Sequence, residues 1–189
     1  MRQIKYIIIG GSAGSFKIIT EILEALPKNF PFTIILVLHR LKHIKEGFTD
    51  ALKIKSFLPV SESVDKEKIL PGRVYIAPAN YHLYIEPDKT FALSTEAPVN
   101  HSRPSIDLTF SSGGFSLKNK MVGILLSGAN NDGAAGLRDV MNYGGTVVIQ
   151  DPKDAIVPTM PEAALKICET KNVLSSQEII NYILMLNSE

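Results

Sequence analysis

The feature that most constrains this chain is the alternation of dense apolar runs with helix-like segments. Ile4–Ile9, Thr33–Leu38, Met121–Leu126 and Thr146–Ile149 are dominated by consecutive apolar residues. Such runs suit strands buried on both faces, because a strand with one wet face alternates polar and apolar positions. The intervening stretches predict helices over Ser15–Leu26, stopped by Pro27, over Lys42–Ser56, and from Pro104 to near Gly113-Gly114. Further helices are expected in "DGAAGLRDVMNYGG", closed by Gly144, over Pro161–Glu169, and over Ser176–Leu186 with Ser175 or Ser176 as cap. Residues 72–93 break the rhythm. Arg73–Ala77 reads as a short strand, and Tyr81–Glu86 with Thr90–Leu93 as a hairpin turning at Pro87-Asp88-Lys89. The expected fold is α/β and doubly wound, a mostly parallel sheet with helices on both faces and a small antiparallel hairpin insertion. One domain is expected over residues 1–189.

Composition narrows the function classes. A net charge of +1, with no basic run of five residues, gives no pull toward nucleic acid or an anionic membrane. The single cysteine, Cys168 in the helix-like "MPEAALKICET", excludes an internal disulfide and cysteine-cluster metal sites, and reads as a structural thiol. The N-terminal apolar run ends in glycines and reads as a first strand, not a signal peptide. The run Ile34–Leu38 is far too short to cross a bilayer. A cytoplasmic protein without membrane insertion is expected.

Strand one runs directly into Gly10-Gly11-Ser12-Ala13-Gly14-Ser15. A dinucleotide turn needs G-x-G-x-x-G and an acid after strand two, but the glycine spacing is wrong and strand two ends in Leu38-His39-Arg40. A P-loop needs G-K-[ST], which is absent here. Gly10-Gly11-Ser12-Ala13-Gly14 does fit G-x-S-x-G, the turn that exposes a nucleophilic serine at a sheet edge ahead of a helix N-terminus. A close-packed turn with no chemistry explains the same small residues.

A serine nucleophile needs a base, and the base needs an orienting acid. In an open α/β sheet both are sought at the carboxyl ends of strands. Of the four histidines, His39 alone follows a buried-type strand; His43 lies in a charged segment, His82 in the hairpin and His101 in a polar loop. Asp132, in "SGANNDGAAG" after Met121–Leu126, fits either a cap of the helix it precedes or the acid that fixes the His39 tautomer. Asp107 and Arg103 in "RPSIDLTF" read equally as cleft residues or as a salt bridge and helix cap.

The segments "IIIGGSAGS", "LHR" followed by "GFT", "GRVYIAPANYHL", "PVNHSRPSIDLTF", "LLSGANNDGAAGL" and "MPEAAL", in this order, resemble the catalytic domain of the CheB-type protein-glutamate methylesterases. The resemblance covers nearly the whole chain. It implies a doubly wound α/β fold and a triad of Ser12, His39 and Asp132. It also implies oxyanion stabilisation by the backbone of Ala13, Gly14 and Ala129, and no metal or organic cofactor. The implied reaction is demethylation of glutamate γ-methyl esters on methyl-accepting chemotaxis receptors, with release of methanol and deamidation of glutamines by the same route. The family's receiver domain is not expected within this chain. Several positions depart from the family pattern: Ala13 and Ser15 replace residues of "S-T-G-G", Ser127, Ala129 and Asn130 those of "T-G-M-G", and Arg40 and Lys42 add charge after His39. These departures motivate a rival, a catalytically idle domain that binds a receptor or signalling partner. An esterase acting on another ester also fits the named residues.

Overall fold

The structure, a computed structural model, describes residues 4–39 and 47–187. In chain order the first half holds β1 (Tyr6–Gly11), α1 (Phe16–Ala25), β2 (Thr33–Leu38), α2 (Phe48–Lys55), β3 (Val60–Glu62), β4 (Val74–Ile76), β5 (His82–Ile85) and β6 (Phe91–Ser94). The second half holds α3 (Ile106–Leu117), β7 (Met121–Leu125), α4 (Ala134–Asn142), β8 (Thr146–Gln150), α5 (Thr159–Leu165), β9 (Val173–Leu174) and α6 (Ser176–Met185). A seven-stranded sheet has the order β3-β4-β2-β1-β7-β8-β9, and its neighbours are parallel. β5 and β6 form a separate antiparallel pair.

The apolar runs explain this layering. Along β1, Ile7 and Ile9 enter a core with Ile18, Ile22 and Leu23 of α1 and Ile179 and Ile183 of α6. Ile8 points to the opposite face, against Phe110 of α3, Leu137 of α4 and Leu83 of the hairpin. Successive side chains on a strand face opposite sides, so a run apolar at every position demands cover on both. Each fully buried isoleucine or leucine contributes roughly 1.5–3 kcal/mol. From β1 the chain passes to β2, out to the edge strand β3 and back to β4 between β3 and β2, then crosses to β7 on β1's other flank. This reversal opens a crevice at the carboxyl ends of β1, β2 and β7, where α/β proteins place their chemistry.

The expected fold class holds, with the hairpin turning through Lys89 (φ 67), whose N–H donates to Glu86 O. Several details differ. The short strands β3 and β9 were not expected; three and two residues are too few to carry a periodicity. α3 starts after Pro104, capped by Ser105, and runs through Gly113-Gly114 to Leu117. Those glycines are sites of close approach and do not stop the helix: a Cβ on Gly113 would lie 2.7 Å from Ile8 Cδ1, and one on Gly114 3.0 Å from Val140 Cα. Of the helix expected over Lys42–Ser56, the described part is α2, and Arg40, Lys42 and His43 lie outside the described residues. α5 ends at Leu165, so Cys168 sits in the turn beyond it, where its N–H donates to Ala164 O.

Burial pushes the Cys168 thiol up to about 11, outweighing the nearby Arg138 charge that lowers it. The thiol is 4% exposed, against Ala134 O at 3.7 Å. It should therefore stay unmodified by an aromatic disulfide reagent near neutral pH and react stoichiometrically once urea unfolds the chain. Equal rates in the two states would show that the thiol is accessible in the fold.

Candidate active site

The sheet register sets the first two members of the site. β1 and β2 pair in parallel with Gly11 opposite Leu38, so Ser12 and His39 leave adjacent strands at the same level. Neighbouring strands lie about 4.8 Å apart, within side-chain reach. The His39 N–H donates to Gly11 O at 3.2 Å, and the Ser12 N–H donates to Ser127 O, beyond the end of β7, at 2.9 Å. The turn holding Ser12 is thus tied to both flanking strands. Within it, the Ser15 hydroxyl donates to Ser12 O at 2.7 Å and the Ser127 hydroxyl to Ala13 O at 2.7 Å. Gly14 is in the left-handed region (φ 84), and a Cβ there would meet Ile156 Cβ and Ser127 Oγ at 2.7 Å. A side chain at this position would be strained twice over.

The third member comes from the loop between β7 and α4. His39 Nε2 donates to Asp132 Oδ2 at 2.7 Å, with the imidazole 13% exposed and the carboxylate fully buried. That bond puts the proton on Nε2 and leaves the Nδ1 lone pair as the available base. Nδ1 lies 3.3 Å from the Ser102 hydroxyl, which also receives Asn130 Nδ2 at 3.4 Å. Among the described residues Ser12 Oγ makes no hydrogen bond, to His39 or to any other group, and the hydroxyl near Nδ1 is that of Ser102.

Asp132 is not the cap of its own helix. Its Oδ2 also accepts the Ile106 N–H at 2.7 Å, and Oδ1 accepts the Asp107 N–H at 3.1 Å and the Ser105 hydroxyl at 2.8 Å. It therefore caps α3. The start of α4 is capped in turn by Asp107, whose Oδ1 accepts the N–H groups of Gly133 at 2.9 Å and Gly136 at 2.7 Å. Asn100 Nδ2 bridges the two carboxylates, 2.8 Å from Asp107 Oδ2 and 3.4 Å from Asp132 Oδ1. Burial alone pushes the Asp132 carboxyl up, but His39 and the Ile106, Asp107 and Ser105 donors outweigh it and hold the group below its ordinary 3.8. Asp107 is pushed above 3.8, chiefly by burial, with the neighbouring Asp132 charge adding and the Gly136 and Gly133 N–H groups opposing.

Of the residues expected at the site, His39 and Asp132 are in direct contact, and Ser12 follows the strand beside His39, each one residue past the Gly11–Leu38 pair. The N–H groups of Ala13, Gly14 and Ala129 donate to no acceptor among the described residues. The other described histidines are elsewhere. His82 is buried, its Nδ1 accepting the Ser105 N–H at 3.2 Å and its Nε2 bonded to Ala97 O at 3.0 Å, while His101 is exposed. The sequence pattern does not single out Asn100, Ser102 or Ser105, and it fits Asp107 equally as a cleft residue or a cap. They share the single segment "NHSRPSID", and their closeness to "SGANND" is a tertiary fact that no spacing along the chain reveals.

Comparison with known proteins fits this geometry. Residues 7–183 match the model of the CheB methylesterase family. A Leptospira interrogans protein, provisionally named a protein-glutamate methylesterase/protein-glutamine glutaminase, is 39% identical over 181 residues, 96% of this chain and 94% of that protein. A protein-glutamate methylesterase/protein-glutamine glutaminase of Thermotoga maritima is 34% identical over 86% of this chain, which spans 48% of that longer protein. The crystal structure of the Thermotoga maritima CheB methylesterase catalytic domain superposes with a TM-score of 0.90 at 32% identity, covering 97% of this chain and 98% of that one. With a sheet-edge serine, a carboxylate-bound histidine and these matches over nearly its whole length, the chain belongs to the CheB methylesterase family.

Proposed function

We propose that this protein hydrolyses glutamate γ-methyl esters on methyl-accepting chemotaxis receptors, with Ser12 as nucleophile, His39 as base and Asp132 as the orienting acid. The observation that carries the assignment is the 2.7 Å His39–Asp132 bond at the strand end beside Ser12. The glutamate ester and the glutamine amide as substrates rest on the names of the relatives. In the same proposal the protein works in the cytoplasm; among the described residues no helix is long and apolar enough to cross a membrane.

The chemistry follows from the tautomer. With its proton on Nε2, His39 takes the Ser12 hydroxyl proton at Nδ1 as Oγ attacks the ester carbonyl. The imidazolium so formed is stabilised by the ionised Asp132, which stays charged because its donors hold it low. The N–H groups of Ala13 and Gly14, at the positive end of α1, and of Ala129, across the crevice, receive the tetrahedral oxyanion. A well-placed donor of this kind contributes roughly 3 kcal/mol to the transition state. Collapse expels methoxide, which leaves as methanol with the proton from Nδ1. Water, deprotonated at the same nitrogen, then cleaves the acyl-serine to release the glutamate carboxyl and regenerate the hydroxyl. With a glutamine substrate the leaving group is ammonia.

Membranes bearing methylated receptors should release methanol with wild type and not with Ser12→Ala, which should melt as wild type does. Release by the variant at a comparable rate would refute the nucleophile. Labelling of wild type by a fluorophosphonate without methanol release would mean an esterase with another substrate, and no labelling would favour the idle binding domain.

Asp132→Asn tests the acid, and stability reads it independently of substrate. Both carboxylate oxygens accept several donors, so an amide must turn its NH2 toward groups that themselves donate, at a cost of about 1–3 kcal/mol. The carboxyl is held below 3.8 in the fold, so its stabilisation is complete above that value and is lost as pH falls through the lower folded one. The gap between wild type and Asp132→Asn in urea midpoint should be full at neutral pH and close in acid. A gap that widens in acid would contradict an ionised Asp132.

A further inference from the structure

We propose that Asp107 is a positioning residue for this triad: its carboxylate clamps the start of α4 to the start of α3 and adds a second negative charge behind Asp132, favouring the His39 imidazolium. The proposal rests on the triad reading above and goes beyond it, because the triad itself assigns Asp107 nothing.

The geometry requires the clamp. Asp132 sits in a loop, immediately before Gly133, which caps α4 in the left-handed region (φ 96). A loop carboxylate is free to drift unless the backbone on either side is held. On one side Asp132 is anchored to the first turn of α3 through the N–H groups of Ile106 and Asp107. On the other, Asp107 binds the Gly133 N–H, the peptide directly after Asp132, and the Gly136 N–H one turn on. The two anchors run in opposite directions between the same two helix starts, so neither helix can shift without moving the carboxylate that orients His39.

The charge matters as well. Asp107 Oδ1 accepts two peptide N–H groups and Oδ2 the Asn100 amide, an arrangement of three donors suited to an acceptor-only carboxylate. No Lys or Arg ion pair reaches either aspartate among the described residues. Among the described residues, the other titratable or charged side chains around this turn are His101 and Arg103 ahead of α3, His82 and Tyr84 on β5, and Arg138 and Asp139 on α4. Arg103 donates to Thr95 O and Glu96 O, Arg138 and His101 are exposed, His82 is bonded to the Ser105 N–H, Tyr84 to Glu96, and Asp139 to Ser111 one turn along α3. His39 is therefore the group able to become cationic in direct contact with the pair. A negative charge behind Asp132 favours the imidazolium that forms as Ser12 gives up its proton.

Asp107→Asn separates these roles from plain helix capping. The amide oxygen can accept both α4 N–H groups, so the clamp on α4 survives while the charge and the bond from Asn100 are lost. The readout is the rate of fluorophosphonate labelling of Ser12 as a function of pH, on wild type, Asp107→Asn and Ser12→Ala, with thermal melts beside each. Asp107→Asn should label up to roughly threefold more slowly, with the acid limb of its profile moved to lower pH by about half a unit. The direction follows because removing a negative charge lets the base give up its proton more readily. If Asp107→Asn fails to fold, Asp107→Ser, whose hydroxyl can still accept an α4 N–H, is read in its place, and its limb should move to lower pH in the same way. A limb that stays in place in the folded variant, or an altered melt alone, would make Asp107 a structural cap and overturn the proposal. A wild type that is not labelled, or is labelled equally after Ser12→Ala, would overturn the triad reading and this proposal with it.

Discussion

Two aspartates that cap each other's helices are the constraint on which the site depends. A helix start leaves four N–H groups without partners, and an acidic side chain there gains both hydrogen bonds and a favourable dipole. Asp132 and Asp107 both take up this role, but each at the start of the helix that belongs to the other. The exchange resolves a physical difficulty. Two neighbouring carboxylates, one of them fully buried, repel each other and lose hydration. Peptide donors from two helix starts, with the Ser105 hydroxyl and the Asn100 amide, replace that hydration. The outcome is uneven, Asp132 held low and Asp107 pushed up, and the one held low is the one in contact with His39.

The departures from the family pattern look different once their atoms are located. Ser15 is buried, and its hydroxyl holds Ser12 O, so it stiffens the turn that presents Ser12. Ser127 links Ala13 O to the 157 loop, whose Val157 N–H donates to the same hydroxyl at 2.9 Å. Ala13 and Ala129 offer the crevice a peptide N–H, which every residue but proline supplies. What changes at those positions is the lining, and Ile156, packed against Gly14 and 68% exposed, adds an apolar side chain beside the turn.

Much of this was legible in the sequence because it is local. The period-free runs gave a doubly wound sheet, and Ile7, Ile8 and Ile9 do pack on alternate faces of it. Ser12 and His39 could be found because each directly follows such a run. β3 and β9 escaped because strands that short have no pattern of their own. Gly113-Gly114 misled because glycine ends helices by its conformational freedom, whereas here it serves close packing inside one. Asp132 was legible as cap or triad acid, and it is a cap of a different helix while bound to His39. No local rule distinguishes a residue that caps its own helix from one that reaches across to another.

The members of the proposed triad are consequently held by unlike means. Ser12 and His39 follow paired strands, so their relative placement is set by backbone hydrogen bonds at every step of a central sheet and is insensitive to the side chains around them. Asp132 has no such support, and its position is only as good as the packing between α3 and α4. On the Ser12 side the proposed oxyanion donors are peptide groups, which Ala13 and Ala129 supply as any residue but proline would. The weight of orientation falls on polar side chains remote from the nucleophile in sequence, on Ser105, Asp107 and Asn100. In a site of this construction the residues that set the acid's geometry belong to the loop and helix facing it, and the segment "NHSRPSID" acts as the mould for a carboxylate that the chain adds some two dozen residues later.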